Sequence, residues 1–412
     1  MDRQPSLRSY AASSFLPAMI YEIGNGAVMP ILVTTAIDLG ASTGVAAFTL
    51  SLLGVGRVIG DVPAAWVAER YGDRRSMMMA SGIALLAFGT CMITPSLALL
   101  QVALLILGMT SSVFYLARQS YLLEVAPVSL RARAQSTLAG SHRIGLFIGP
   151  FLGAAAIGIG GARAPYVVAM ATAVATGILL FAVPDVEARG QVQSEAARSV
   201  TGRQILRSRW RMFFSLGLAV VACSAIRQAY PAVLPLWAHH VGLSPAQTSI
   251  IIGIANGVDM TLFYPSGKVM DRLGRLAIAI PAMVVMGVAL ICLVFTRGEL
   301  TILIVAMVVS FGNGIGSGIV QTIGGDAAPV DGRRKFLGIW RLFGDTGTGV
   351  GPLIVSLVAA VASLAASIVT AGIIGLLAAA GFAAWVPKFT AFATPAAIRR
   401  HHQSVTSTAA GL

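Results

Sequence analysis

Long apolar runs alternate with short polar loops twelve times along this chain. The runs lie at about 11–39, 43–68, 76–96, 98–124, 134–160, 164–184, 210–240, 245–270, 277–296, 299–325, 336–362 and 364–387. Each reaches the ~20 residues that cross the hydrocarbon of a bilayer. No water is present there to satisfy the backbone, so each run is predicted to be a helix. One long polar stretch interrupts the series at 186–209, rich in Arg, Gln and Ser. It reads as a cytoplasmic linker between six-helix bundles at 1–185 and 210–390, with 391–412 as a polar, disordered cytoplasmic tail. The expected fold class is an all-α integral membrane protein, twelve transmembrane helices in two pseudo-symmetric six-helix bundles.

The two bundles repeat one another. A charged loop, Glu69-Arg70-Tyr71-Gly72-Asp73-Arg74-Arg75, follows the second run, and Gly267-Lys268-Val269-Met270-Asp271-Arg272-Leu273-Gly274-Arg275 echoes it after the eighth. Gly72 and Gly274 are 202 residues apart. So are Gly40 and Gly242, Pro127 and Pro329, Arg131 and Arg333, and the Gly149-Pro150 and Gly351-Pro352 pairs. A fixed period over this many landmarks marks a tandem duplication. Six helices per repeat, an even number, makes the repeats parallel, related by an axis along the membrane normal.

Composition agrees with a polytopic membrane protein. Of the 412 residues 56% are hydrophobic and 11% charged, against roughly 25% charged in soluble domains. The first 30 residues lack a signal-peptide pattern, because the apolar run after Arg8 is long and has no cleavage site. Cys91, Cys223 and Cys292 are scattered through apolar runs and suggest neither a disulfide nor a metal cluster. The net charge of +13 changes meaning once mapped: 22 of the 29 Lys and Arg fall at the two ends and in every second loop, while the alternate loops hold only Arg163 and Arg297. That is the positive-inside pattern, which puts both termini in the cytoplasm and removes the case for nucleic-acid binding.

Charges inside the runs carry the candidate chemistry, because an ionisable group in a bilayer is costly. Run 1 holds Glu22, run 2 Arg57 and Asp61, run 4 Arg118, and run 5 His142 and Arg143. Run 7 holds Arg227, run 8 Asp259, and run 11 Arg341 and Asp345. Run 10 offers the neutral Asn313 and Gln321, and runs 3, 6, 9 and 12 carry none. Those four are therefore expected on the outside, with the other eight around a hydrated core. Arg57–Asp61 and Arg341–Asp345 are spaced to pair along their own helices. Arg118 is near enough to the helix end to snorkel, and His142 fits a packed, hydrogen-bonded role. Glu22, Arg227 and Asp259 have no opposite charge three or four residues away. At the repeat offset Arg57 aligns with Asp259 and Arg143 with Asp345; near Pro30 and Pro235 the offset is 205, and Glu22 aligns with Arg227. Opposite charges at equivalent sites suggest ion pairs across the bundle interface, Glu22 with Arg227 and Arg57 with Asp259. A carboxylate whose hydration and neighbours change with the open face can take up a proton on one side and release it on the other; Glu22, Asp259 and Asp61 are the candidates. Tyr21, Tyr115, Tyr230, Trp237, Tyr264 and Trp340 are aromatics that could line the cavity.

The duplicated loop resembles the loop between helices 2 and 3 of the major facilitator superfamily. The second copy matches at Gly267, Asp271, Arg272, Gly274 and Arg275; the first has Ala65 for the leading glycine and Glu69 for the aspartate. The resemblance implies a cytoplasmic latch, in which the acid caps the start of helix 11. Gly145, Gly149, Pro150 and Gly153 in run 5 look like the family's antiporter motif, with a partial echo at Gly347, Gly351 and Pro352. The same spacing also suits ordinary close helix packing. The family's helix-4 arginine is missing, with Leu104 in its place ahead of Gly108. The family implies alternating access by a monomer in the inner membrane, without a cofactor. Proton-coupled efflux of small organic molecules is the first expectation. Import or facilitated passage of an anionic metabolite is the second, because five membrane arginines face four membrane acids. A sensor or membrane enzyme is a third class, but no catalytic domain, metal cluster or nucleophile motif speaks for it.

Overall fold

The computed structural model describes residues 11–125, 130–182, 202–329, 332–390 and 392–400. Pro127, most of the polar linker and the end of the tail lie outside the described residues. Six helices make the first bundle: α1 (Ser13–Asp38), α2 (Thr43–Tyr71), α3 (Asp73–Ile93), α4 (Leu97–Val125), α5 (Arg131–Gly160) and α6 (Pro165–Ala182). Six make the second: α7 (Trp210–His240), α8 (Pro245–Leu273), α9 (Leu276–Leu293), α10 (Glu299–Ala327), α11 (Arg333–Val361) and α12 (Leu364–Phe389). All but α8 are apolar enough to rank as membrane spans on composition. α8 matches them in length but spends its hydropathy on Asp259, Lys268, Asp271 and Arg272.

The duplication is visible in the backbone. α2 and α8 both run 29 residues and start 202 apart; α5 and α11, of 30 and 29 residues, also start 202 apart. Ser42 and Ser244 cap the first pair through their side chains, each satisfying an orphan N–H of the first turn. Gly40, Gly72, Gly242 and Gly274 all take φ between 81° and 89°, so both copies of each turn need a residue without Cβ.

Packing sorts the helices as the charges foretold. The bundles meet mainly along two pairs, α2 with α11 and α5 with α8. α3 rests on α4 and α6, and α9 on α10 and α12, within their own bundles. Ile83, Leu86, Ile178, Phe181, Val288 and Leu377 on these outer helices face outward, as a lipid-facing surface requires.

Three features depart from expectation. α10 is broken at Gly316-Ser317-Gly318, where Gly318 turns left-handed. Gly202–Ser208, within the predicted linker, is a short helix. The start of the tail docks rather than staying free: the Arg275 and Leu276 N–H groups donate to the carbonyls of Phe392 and Ala393 at 3.0 and 3.1 Å. Those donors open α9 and lack partners within it. Arg275 pairs with Asp326 at 2.8 Å, and Thr390 donates to the same carboxylate.

Candidate functional site

The seam is shut at one face and open at the other. Near the loops poor in basic residues, Ser356 of α11 donates to the Gly44 carbonyl of α2 at 3.0 Å, and a Cβ on Gly44 would lie 2.9 Å from the Ala360 backbone. On the second contact, Gly253 and Gly257 of α8 seat the rings of Phe151 and Phe147, and Asn256 donates to the Leu146 carbonyl at 2.9 Å. At the basic face the loop motif is loose. Glu69, Arg70, Gly72, Arg75 and Arg272 are exposed, and Asp271 is 79% exposed while it pairs with Arg275 of its own loop. The Glu69 carboxylate reaches no partner among the described residues. Arg74 instead donates to the Leu180 and Phe181 carbonyls at the end of α6, a favourable site for a cation. Gly267 has open space beside it.

Between the closed and open ends sits a cavity of about 220 Å³. The first bundle lines it with Arg57, Val58, Asp61, Ser112 and Tyr115, and the second with Gln228, Arg341, Asp345 and Thr348. A smaller, more apolar pocket continues toward the closed face, sharing Arg57 and Gln228. Asp61 does not pair along α2 with Arg57; it accepts from Ser112 at 2.8 Å, and Ser112 also bonds the Arg57 carbonyl. Arg341 and Asp345 do pair along α11, at 3.3 Å.

Beside the cavity, the first bundle buries a charged cluster. Glu22 is 1% exposed. It accepts a hydrogen bond from the Tyr115 hydroxyl, has His142 Nδ1 3.0 Å away, and has Asn25 at 3.4 Å. Two guanidiniums lie over the Tyr115 ring, Arg57 at 5.5 Å and Arg118 at 4.8 Å from its centroid. Arg57 Nε and Arg118 Nε and Nη1 are buried without a hydrogen-bond partner. Arg118 turns inward to this cluster and does not snorkel.

The second bundle answers with a different cluster. Arg143 of α5 crosses the seam, pairing with Asp259 of α8 and donating to Ser317 at the break in α10. Asn313 holds the other Asp259 oxygen at 2.8 Å. Arg227 donates to the Gly316 carbonyl at 2.8 Å. A broken helix in a membrane leaves carbonyls short of N–H partners; the Gly316 carbonyl has a long bond from the Ile319 N–H at 3.4 Å, and this guanidinium supplies a second, shorter one. The expected pairs Glu22–Arg227 and Arg57–Asp259 are therefore not formed. A seam-crossing ion pair exists, but it is Arg143–Asp259. Sequence symmetry identified equivalent positions, but the charges at those equivalent positions do not pair with one another. The signal for the break was available: four glycines at 312, 314, 316 and 318.

Of the six candidate aromatics, Tyr115 lines the cavity and the rest do not. Tyr21 stacks on Phe114 at 4.1 Å, Tyr230 bonds Ser310, Trp237 bonds Thr296 and Trp340 bonds the Val320 carbonyl. Tyr264 is exposed under Lys268, and Gln321 is exposed away from both pockets. Gly145, Gly149 and Gly153, with Pro150 between them, form a packing seam: a Cβ on each would strike the α1 backbone at Met19, Ile23 and Ala27 within 2.7 Å. Gly347 and Gly351 seat α7 on α11 in the same way.

These features can be set beside known proteins. The family model for the Major Facilitator Superfamily matches residues 15–333 and again 216–407. The gentisate transporter of Corynebacterium glutamicum is 29% identical over 143 residues, 35% of this chain and 31% of that protein, so the match spans about a third of the relative's length. The inward-open xylose transporter XylE from E. coli aligns with a TM-score of 0.69 and 17% identity, covering 93% of this chain and 97% of that one. A bacterial homolog to the human lysosomal transporter Spinster, in an inward-facing and unoccupied conformation, gives a TM-score of 0.72 and 14% identity over 94% and 98%. At these identities the likeness to solved structures shows the fold. The duplicated bundles, the charged seam and a family match over most of the chain lead to one conclusion: this protein belongs to the major facilitator superfamily of membrane transporters.

Proposed function

We propose that the chain is a proton-linked secondary transporter of small organic anions. It works by alternating access in the inner (plasma) membrane as a monomer, with its basic face and both termini cytoplasmic. One observation carries the reading: every acid in the core has a partner, while Arg57 and Arg118 beside the cavity keep buried donors free. An unsatisfied buried charge-bearing donor is costly, so an anionic guest that supplies acceptors is favoured there over a cation. The size of the cavity supports a metabolite, since drug-sized ligands fill pockets of about 300–1,000 Å³. The gentisate transporter's name points to an anion as well.

Export, the first expectation from sequence, rests on the helix-5 motif, and those glycines serve to pack α1. The anionic alternative therefore takes precedence. Glu22, Asp259 and Asp61 remain the candidate proton carriers, with the Glu69 and Asp271 loops as the cytoplasmic gate.

The test is uptake into proteoliposomes of radiolabelled gentisate, benzoate and succinate, with the cation tetraphenylphosphonium for contrast, under an imposed pH gradient. Anion accumulation that a protonophore abolishes is expected. Movement of the cation alone would return the export reading to first place, and anion flux indifferent to the gradient would make the protein a facilitator.

A further inference from the structure

Tyr115 touches three charged groups and an imidazole at once. Its ring carries the Arg57 and Arg118 guanidiniums, its hydroxyl donates to Glu22, and its edge meets the His142 ring at 5.8 Å and 71°. It also lines the cavity. A packing tyrosine has no need of this position: Tyr230, Trp237 and Trp340 direct their polar atoms to neutral partners. We infer that Tyr115 is the positioning residue that couples anion binding to a proton held between Glu22 and His142. The inference rests on the anion reading above.

The physical argument is repulsion between two carboxylates in a site with little water. Arg57 and Arg118 lie over the Tyr115 ring, whose hydroxyl donates to Glu22, and Asp61 lines the cavity beside Arg57. When a carboxylate enters and takes their free donors, the cluster gains one negative charge. That charge repels the Glu22 carboxylate across a low-dielectric site, and a proton on Glu22 relieves the repulsion. The route for it is His142, whose side chain is 33% exposed while Glu22 is shut away. The proton moves from the imidazolium nitrogen to Glu22 Oε1, leaving neutral imidazole and carboxylic acid; no other bond changes. Tyr115 then turns its hydroxyl from donor to acceptor. The ring moves with that hydroxyl, and the two guanidiniums over it feel the shift. Linkage makes this reciprocal: the anion raises proton occupancy by the factor by which the proton raises anion affinity.

Every group facing Glu22 fits this account. α4 brings Tyr115 and Arg118, α5 brings His142, α2 brings Arg57, and α1 itself brings Tyr21 and Asn25. The ionisable residue of α6 among those described, Tyr166, is bonded to Thr35. Arg143, next to His142, is committed across the seam to Asp259.

Tyr115→Phe keeps the ring under the guanidiniums and removes the hydroxyl, so it separates the two functions. The measurement is the pH profile of binding and of gradient-driven uptake for whichever probe anion the wild type carries, in proteoliposomes of the full chain. In the wild type, affinity should rise at least 10-fold as pH falls from 8 to 6. In Tyr115→Phe the profile should flatten to less than 3-fold, and the ratio of gradient-driven accumulation to gradient-free exchange should drop at least 10-fold. Glu22→Gln, a fixed neutral form, should flatten the profile likewise, which provides the test if the tyrosine variant does not fold. Tyr115→Leu should also raise the KM for the anion, because the guanidiniums lose their support. A Tyr115→Phe or Glu22→Gln protein with the wild-type pH profile would overturn the coupling role and leave the anion reading intact. Wild-type vesicles that move none of the probe anions would overturn the anion reading itself.

Discussion

Removing the ion pair that spans the seam should open the closed face. Arg143 and Asp259 are the charges that join the bundles there, and both are mostly enclosed, at 16% and 14% side-chain exposure. Deleting one partner of a fully buried pair costs about 3–5 kcal/mol, because the survivor stays charged and unpaired. Here Arg143 keeps Ser317 and Asp259 keeps Asn313, so the lower end, ~3 kcal/mol, is the appropriate figure. The pair exists only while α5 and α8 are in contact, so that loss falls on the closed-face state alone. At ~1.4 kcal/mol per factor of ten, Asp259→Ala should raise the open-face population ~100-fold. The reporter is a cysteine at Ser356, which is buried against Gly44 in the closed state. It would be placed after replacing Cys91, Cys223 and Cys292, and read by its rate of maleimide labelling. Arg143→Ala should act alike. The double variant should cost far less than the sum of the singles, leaving a coupling energy of roughly 2–3 kcal/mol, and the exchange Arg143→Asp with Asp259→Arg should recover part of the loss. Additive single effects, or a labelling rate that stays at wild type in folded Asp259→Ala protein, would show that the pair does not hold the face shut.

Other substitutions probe the same framework. Gly44→Leu should force α2 off Ala360 and cost the closed-face state about 1–3 kcal/mol, raising Ser356→Cys labelling on its own; unchanged labelling would mean the contact is slack. Asp326→Ala should release the tail start from the second loop, leave Arg275 with only the exposed Asp271 as its ionic partner, and lower stability by about 1–3 kcal/mol. Faster proteolysis between Phe389 and Arg400 is the accompanying sign, and a resistant tail would refute it. Arg74→Ala should cost about 0.5–1 kcal/mol through the lost cation at the end of α6. Its effect belongs on thermal stability, and a changed KM with unchanged stability would instead tie Arg74 to the transport cycle.

Much of the architecture was legible because it depends on short-range rules. Twelve apolar runs follow from what a bilayer demands of a backbone. The 202-residue period identified both copies of each turn, and the glycines at 40, 72, 242 and 274 do share one backbone conformation. The four helices without charges are the outer ones, since lipid excludes ionised side chains wherever the helix lies. The two misreadings of order, the docked tail and the broken α10, share a cause. Phe392 and Ala393 are held by the start of α9, and the break is held by Arg227 and Arg143; the partners in both cases are distant in sequence.

The sequence by itself determined that this protein crosses the membrane as a duplicated bundle with a charged interior, because hydropathy and periodicity are properties of one helix at a time. Only the tertiary structure decided which charges meet. Glu22 went to Tyr115 and His142 rather than to Arg227, and Asp259 to Arg143 rather than to Arg57. A helix fixes the face on which a side chain stands to within its 100° step per residue. Which neighbour stands opposite depends on the rotation and axial position of another helix, and those are set by packing of small residues such as Gly145, Gly149 and Gly153 against α1.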